Sequence, residues 1–141
     1  MKKIFLIMIG VSLSLMADFT RNDTMQVVTD SETQLQWKDD AIGSTMTWID
    51  AISHCESLTF ATHSDWRLPN LRELTSLVDD CKTPLSIDTS VFEYTASDYY
   101  WSSTTYVGDT SNAWYVYFGR GSQVTRTKSS GNYVRCVRAG Q

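Results

Sequence analysis

Residues 64–79 read SDWRLPNLRELTSLVD, and the fold turns on how this stretch is read. Proline disfavours the helical region for the residue before it, so Trp66-Arg67-Leu68-Pro69 is expected to arrive extended. Asn70 is a strong helix N-cap, and Glu73 sits three residues on, as in a capping box. Leu71, Leu74, Leu77 and Val78 then share a helical face. The stretch predicts a strand-like approach locked into a helix start, with Trp66, Leu68 and Leu71 turned to the core. Arg67 either bonds nearby carbonyls or pairs with an acid.

The same local grammar works outward. Upstream, Thr47 caps a helix whose Asp50 resembles the acidic member of a capping box. Trp48, Ala51, Ile52, Cys55 and Leu58 recur on its inner side, with Trp48 read as core packing. Before it, TMQVVTDSETQLQW (24–37) predicts two short strands around the polar turn DSET, followed by the loop KDDAIGS (38–44). Downstream, residues 82–98 have no clear period and predict a long covering loop. The last third is strand and turn: YYWSSTTY (99–106), NAWYVYF (112–118), SQVTRT (122–127) and NYVRCVRAG (132–140). Trp114, Val116 and Phe118 alternate with Tyr115 and Tyr117, so both faces of that strand are bulky and it should be central. Early helices and a late antiparallel meander predict an α+β domain.

The N-terminus sets the expected compartment. Lys2 and Lys3 precede an apolar core, IFLIMIGVSLSLMA (4–17), that ends in Ala17 before Asp18. This is the anatomy of a signal peptide, and the run is shorter than the roughly 20 apolar residues of a membrane anchor. No Cys follows the core, which speaks against a lipid-anchored form. The expected organisation is a signal peptide at 1–17 and one domain at 18–141, secreted or periplasmic or held at the cell surface, with no further membrane span. Cys55, Cys81 and Cys136 then predict one disulfide and one thiol, and three pairings are open. Cys55–Cys136 closes the longest loop and would stabilise by about 4–5 kcal/mol on a loop-entropy model, but loop entropy does not select a partner.

Charge is unevenly placed. The formal net charge is −4. All 16 acidic residues lie between Asp18 and Asp109, whereas Arg120, Arg126, Lys128, Arg135 and Arg138 follow with no acid among them. This asymmetry reads either as a surface for anionic ligands or as a C-terminal segment folded against acids.

Reactive chemistry finds little support. His54 and His63 form no zinc pattern, and Asp79, Asp80 and Asp88 carry no calcium-loop signature. No nucleophile elbow is present. Cys81 neighbours two carboxylates, which disfavour its thiolate. GRGSQ (119–123) lies between strands and reads as a hairpin turn. No metal, cofactor, catalytic residue or nucleic-acid partner is expected. Seven Tyr and five Trp are many for this length and suit wet, sugar-like faces as well as cores. Tyr99, Tyr100 and Tyr106 border turns and are expected to be the exposed ones.

VVTDSETQLQWKDD, TWIDAISHCESL, SDWRLPNLRELTSLVD, YWSSTTY, AWYVYFGRG and YVRCVR occur in that order. Together they resemble the Lcl C-terminal-domain family across residues 25–140. The resemblance implies a C-type-lectin-like fold, with two helices flanking antiparallel sheets and the first strand against the last. TWIDAISHCESL is similar to the first helix of C-type lectins, whose Cys bridges to the final strand, and this implies Cys55–Cys136. WRLP also resembles a helix start in the formylglycine-generating and sulfatase-modifying family, but the copper-binding cysteines of that family have no counterpart here.

The family resemblance implies a non-catalytic module that binds sulfated glycans and assists adhesion. The calcium-and-sugar signatures of classical C-type lectins are missing. The expected ligand is an acidic polysaccharide or a cell-surface protein, met by Tyr99, Tyr100 and Tyr106 with Arg120, Arg126 and Lys128. The rival is a structural protein-interaction domain, in which Arg135 and Arg138 pair with acids from the start of the domain. A formylglycine-generating-type enzyme is the minor alternative.

Overall fold

The computed structural model describes residues 18–140. The signal-peptide reading of 1–17 lies outside the described residues.

Two antiparallel sheets make up the frame. The first runs β1 (Phe19–Asn22), β2 (Val27–Asp30), β3 (Leu35–Lys38) and then the last strand, β7 (Val137–Ala139). The second is a meander of β4 (Tyr99–Thr105), β5 (Asn112–Tyr117) and β6 (Ser122–Thr127), with β5 central as its two bulky faces require. Helix α1 (Trp48–Glu56) starts where Thr47 caps it, its hydroxyl accepting from the Asp50 amide. Helix α2 (Leu71–Thr75) starts at Asn70 with the full capping box: Asn70 accepts from the Glu73 amide, and Glu73 from the Asn70 amide.

The extended WRLP segment joins the sheets. On one side Arg67 and Val137 exchange backbone hydrogen bonds, each 2.9 Å, which closes the outer edge of β7. On the other, the Pro69 carbonyl accepts from Ser103 of β4 at 2.8 Å. Trp66 is buried, its indole N–H donating to the Phe60 carbonyl. Arg67 resolves to an acid partner, holding both Glu73 oxygens at 2.8 and 2.6 Å.

β2 separates the core into two, because Val27 and Val28 face opposite ways. Val28 packs with Trp37, Leu74, Phe92, Val116 and Phe118, under the lid formed by residues 82–98. Val27 packs with Ala51, Cys55, Trp66, Trp101 and Cys136, beneath α1. Cys55 and Cys136 form the disulfide, with Cα atoms 5.5 Å apart, and Cys81 is a free, exposed thiol.

Four expectations need correcting. The first and last strands are not adjacent: β1 and β7 occupy opposite edges of the first sheet, and β7 pairs with β3. β1 itself was not expected. With β1 on the outer edge of β2, the C-terminal strand pairs with the free edge of β3, at the other side of the sheet from the first strand. Helix α2 is five residues long, because after Thr75 the amides of Leu77 and Val78 reach only three residues back. Leu77 is buried all the same, but Cys81 lies in a turn well beyond the helix. Finally, only 137–139 of the stretch 132–140 is ladder strand, and Asn132 and Tyr133 make isolated bridges to Met46 and Tyr100.

Candidate functional site

The five C-terminal cations separate into two groups. Arg135 is only 4% exposed and donates to the buried carboxylate of Asp39, which also takes Arg21. Its other nitrogen donates to the Tyr94 carbonyl and to Thr95 Oγ1, fastening the 82–98 lid to the sheet. Arg138 holds both Asp65 oxygens, at 2.7 and 3.1 Å, and also donates to Gln36. These two arginines are consumed by the fold. Among the described residues, Arg120, Arg126 and Lys128 make no ion pair.

The free cations follow β6 and the turns at its ends. Ladder partners project to the same side of a sheet, and alternate residues to opposite sides. Register therefore puts Tyr99, Trp101, Ala113, Tyr115, Tyr117, Val124 and Arg126 on one face. Trp101, Ala113 and Tyr115 are buried there in the core beneath α1, and Tyr99, Tyr117, Val124 and Arg126 form its open margin. The Tyr99 ring lies 4.8 Å from those of both Tyr115 and Tyr117, and the Arg126 guanidinium stands 5.8 Å from the Tyr99 centroid. Two residues past Arg126, Lys128 Nζ sits 4.0 Å over the Trp48 ring and donates to Thr105 Oγ1 at 2.9 Å. At the opposite end, Arg120 is exposed in the β5–β6 turn, and the tip of Tyr117 lies against Gly119 beside it. The arrangement is a strip of rings with Arg126 and Lys128 along one sheet face and Arg120 in the turn at its end.

Two expected members are elsewhere. Tyr100 is 2% exposed, packed between Phe118 and Tyr133, with its hydroxyl accepting from the Ala96 amide. It is a core residue: alternation puts it on the face opposite Tyr99, in the cluster of Val116 and Phe118. Tyr106 stacks edge-on at 5.6 Å against Trp114 on the opposite face of the sheet, folded back over Gly108. Tyr117 and Trp48 belong to the strip but were not expected there, and the buried Tyr115 packs edge-on against Tyr99. The alternation of AWYVYF already placed the two tyrosines on one face; it did not say that face was partly open. Trp48 was read as core packing, and it does pack against the cluster beneath α1, but it is only half-buried: its N–H donates to the Ser102 carbonyl and its ring carries Lys128.

The model of the Lcl C-terminal domain matches residues 26–138. The chain belongs to this family. No curated protein matches it significantly.

Within this Lcl C-terminal domain, shifted titrations trace the fold. Burial pushes the phenols of Tyr100 and Tyr115 above their ordinary range, and Tyr99 adds to the shift of Tyr115. Burial also opposes ionisation of Glu73, yet Arg67 and the Asn70 amide together hold its carboxyl below the usual range. Arg138 lowers Asp65, the Ser90 hydroxyl and amide lower Asp88, and the Ser111 pair lowers Asp109. Each carboxylate so shifted is answering a turn, a cap or a structural arginine.

Proposed function

We propose that this Lcl C-terminal domain is an exported, non-catalytic binding module for an acidic polysaccharide at a cell surface, built on a C-type-lectin-like frame. The observation that carries the reading is the β6 strip, where Arg126 and Lys128 lie beside Tyr99, Tyr117 and Trp48, with Arg120 exposed in the adjoining turn, and none of the three has a carboxylate partner among the described residues. Guanidinium forks match sulfate and carboxylate geometry, and phenol rings give a sugar an apolar face with a polar tip. The non-catalytic part rests on the shifted carboxylates, whose partners all build local structure. Among the described residues no helix is long and apolar enough to cross a membrane.

The test is retention on immobilised heparin-like glycan. Wild type should be retained at low salt and released as salt rises, because the contacts are exposed charges. The triple variant Arg120→Ala/Arg126→Ala/Lys128→Ala should pass through. Equal retention of the two would refute the strip as the binding face.

A second reading, a structural protein-contact domain, draws on Arg135, which is buried beside Asp39 as internal charge pairing requires. Arg138 divides its bonds between Asp65 and Gln36 and so supports that reading less directly.

A further inference from the structure

Sheet edges are templates for another strand, and folded proteins generally cover or shorten them. Three of the four edges here are managed. β7 is covered by Arg67, β4 by the backbone of Tyr133 and Pro69, and β1 is only four residues long. β6 is six residues long and exposed along almost all its length.

Its free hydrogen-bonding groups follow from register. The Lys128 amide donates to the Ser111 carbonyl, so Arg126, Val124 and Ser122 are the residues bonded to β5. Gln123 and Thr125 therefore turn both N–H and C=O outward, and among the described residues nothing bonds to them there. The Thr127 N–H faces the same way.

The two sides of that edge differ. On one, Val124 is 43% exposed and Arg126 stands unpaired, with Lys128 just beyond. On the other, Gln123 borders a mainly apolar groove of about 650 Å3 against α2, with Leu71, Thr75 and the stem of Arg72 in its wall. No acid occurs after Asp109; a carboxylate oxygen of Asp80 lies against Gly121 of the hairpin turn.

We infer that β6 accepts an extended peptide as a fourth strand of its sheet, one that alternates acidic and apolar residues. Carboxylates would lie on the Arg126 side and apolar side chains over the α2 groove, the spacing that the two-residue period of a strand imposes. A second copy of β6 fits poorly, because it would bring a second set of Arg120, Arg126 and Lys128 beside the first with no acid on either strand. This surface uses the backbone edge, which the glycan strip does not need.

The test uses an eight-residue fluorescent peptide of alternating Glu and Val, titrated with the purified protein and read by anisotropy. Binding should be saturable. It should weaken at least about tenfold in Thr125→Pro, which removes an outward N–H without touching the β5 ladder. Glycan retention of Thr125→Pro should be unchanged, which separates failure here from failure of the glycan reading. A second measurement does not depend on that variant folding: the same peptide N-methylated at alternate residues should lose binding to wild type in one of its two methylation registers. The inference is overturned by no binding at millimolar protein, by equal binding of a Lys–Val peptide, or by binding indifferent to both methylation registers. It is overturned equally by a β6-dependent dimer that excludes the peptide.

Discussion

Arg135 and Asp39, 96 residues apart in the chain, meet where neither side chain reaches solvent, and Arg21 closes on the other carboxylate oxygen. One anion therefore holds two cations, and a guanidinium lying 5.1 Å over Phe92 fastens the lid to the sheet.

This arrangement makes the two partners unequal. Asp39→Ala leaves Arg135 buried without its counter-ion, and the loss should reach about 3–5 kcal/mol. Arg135→Met keeps the apolar stem against Phe92 and leaves Arg21 to neutralise Asp39, so it should cost less. Urea denaturation of the two variants checks the order. A larger loss in Arg135→Met would mean that the carbonyl and Thr95 contacts, rather than the charge pair, hold the lid.

The disulfide ties α1 to the segment leading into β7 across 81 residues of sequence. Alkylation before reduction should label one cysteine, Cys81, and after reduction and unfolding three. Replacing Cys55 and Cys136 by Ala should remove about 2–5 kcal/mol. Labelling of Cys55 or Cys136 in the native, unreduced protein would contradict the pairing.

Glu73 gives a pH signature. Its carboxyl is held below the usual 4.5 in the folded state, so its stabilisation is present above that value and lost as pH falls below it. Arg67 is exposed enough for solvent to screen the pair, and the contribution should be at most about 1 kcal/mol. Arg67→Met should flatten part of the loss of urea midpoint between neutral pH and about pH 3, while the Asn70 amide preserves the rest. An unchanged acid slope would show that the pair does not couple to folding.

How much of this was legible in the sequence depended on range. Caps are local, so Thr47 and Asn70 could be read from three or four residues, and Pro69 fixed the extended approach in front of α2. Turn chemistry separated the C-terminal strands for the same reason. β1 escaped because FTRN is short, has one apolar side chain and is stabilised mostly by the neighbour it pairs with. The length of α2 escaped because Leu77 remains buried after the helix has given way to turns, so burial imitated helical period. In YYW, both faces of the strand are aromatic, and no local pattern says which tyrosine lies inside. The division of the cations into Arg135 and Arg138 on one side and Arg126 and Lys128 on the other is set by contacts as distant as Asp39, and the sequence showed only their sum.

That division can be tested by exchanging its two halves. Arg138→Ala strips Asp65 and Gln36 of a nearly buried donor and should cost about 1–3 kcal/mol of stability. Its effect on glycan retention should be small once the protein is compared below its melting range. Arg126→Ala removes an exposed, unpaired guanidinium over Tyr99, so stability should change by no more than about 0.5 kcal/mol. Retention should fall, with elution moving to lower salt. The opposite outcome, with Arg138→Ala eluting early and Arg126→Ala unfolding early, would place the ligand against the first sheet. The cations over β6 would then be ordinary solvated charge.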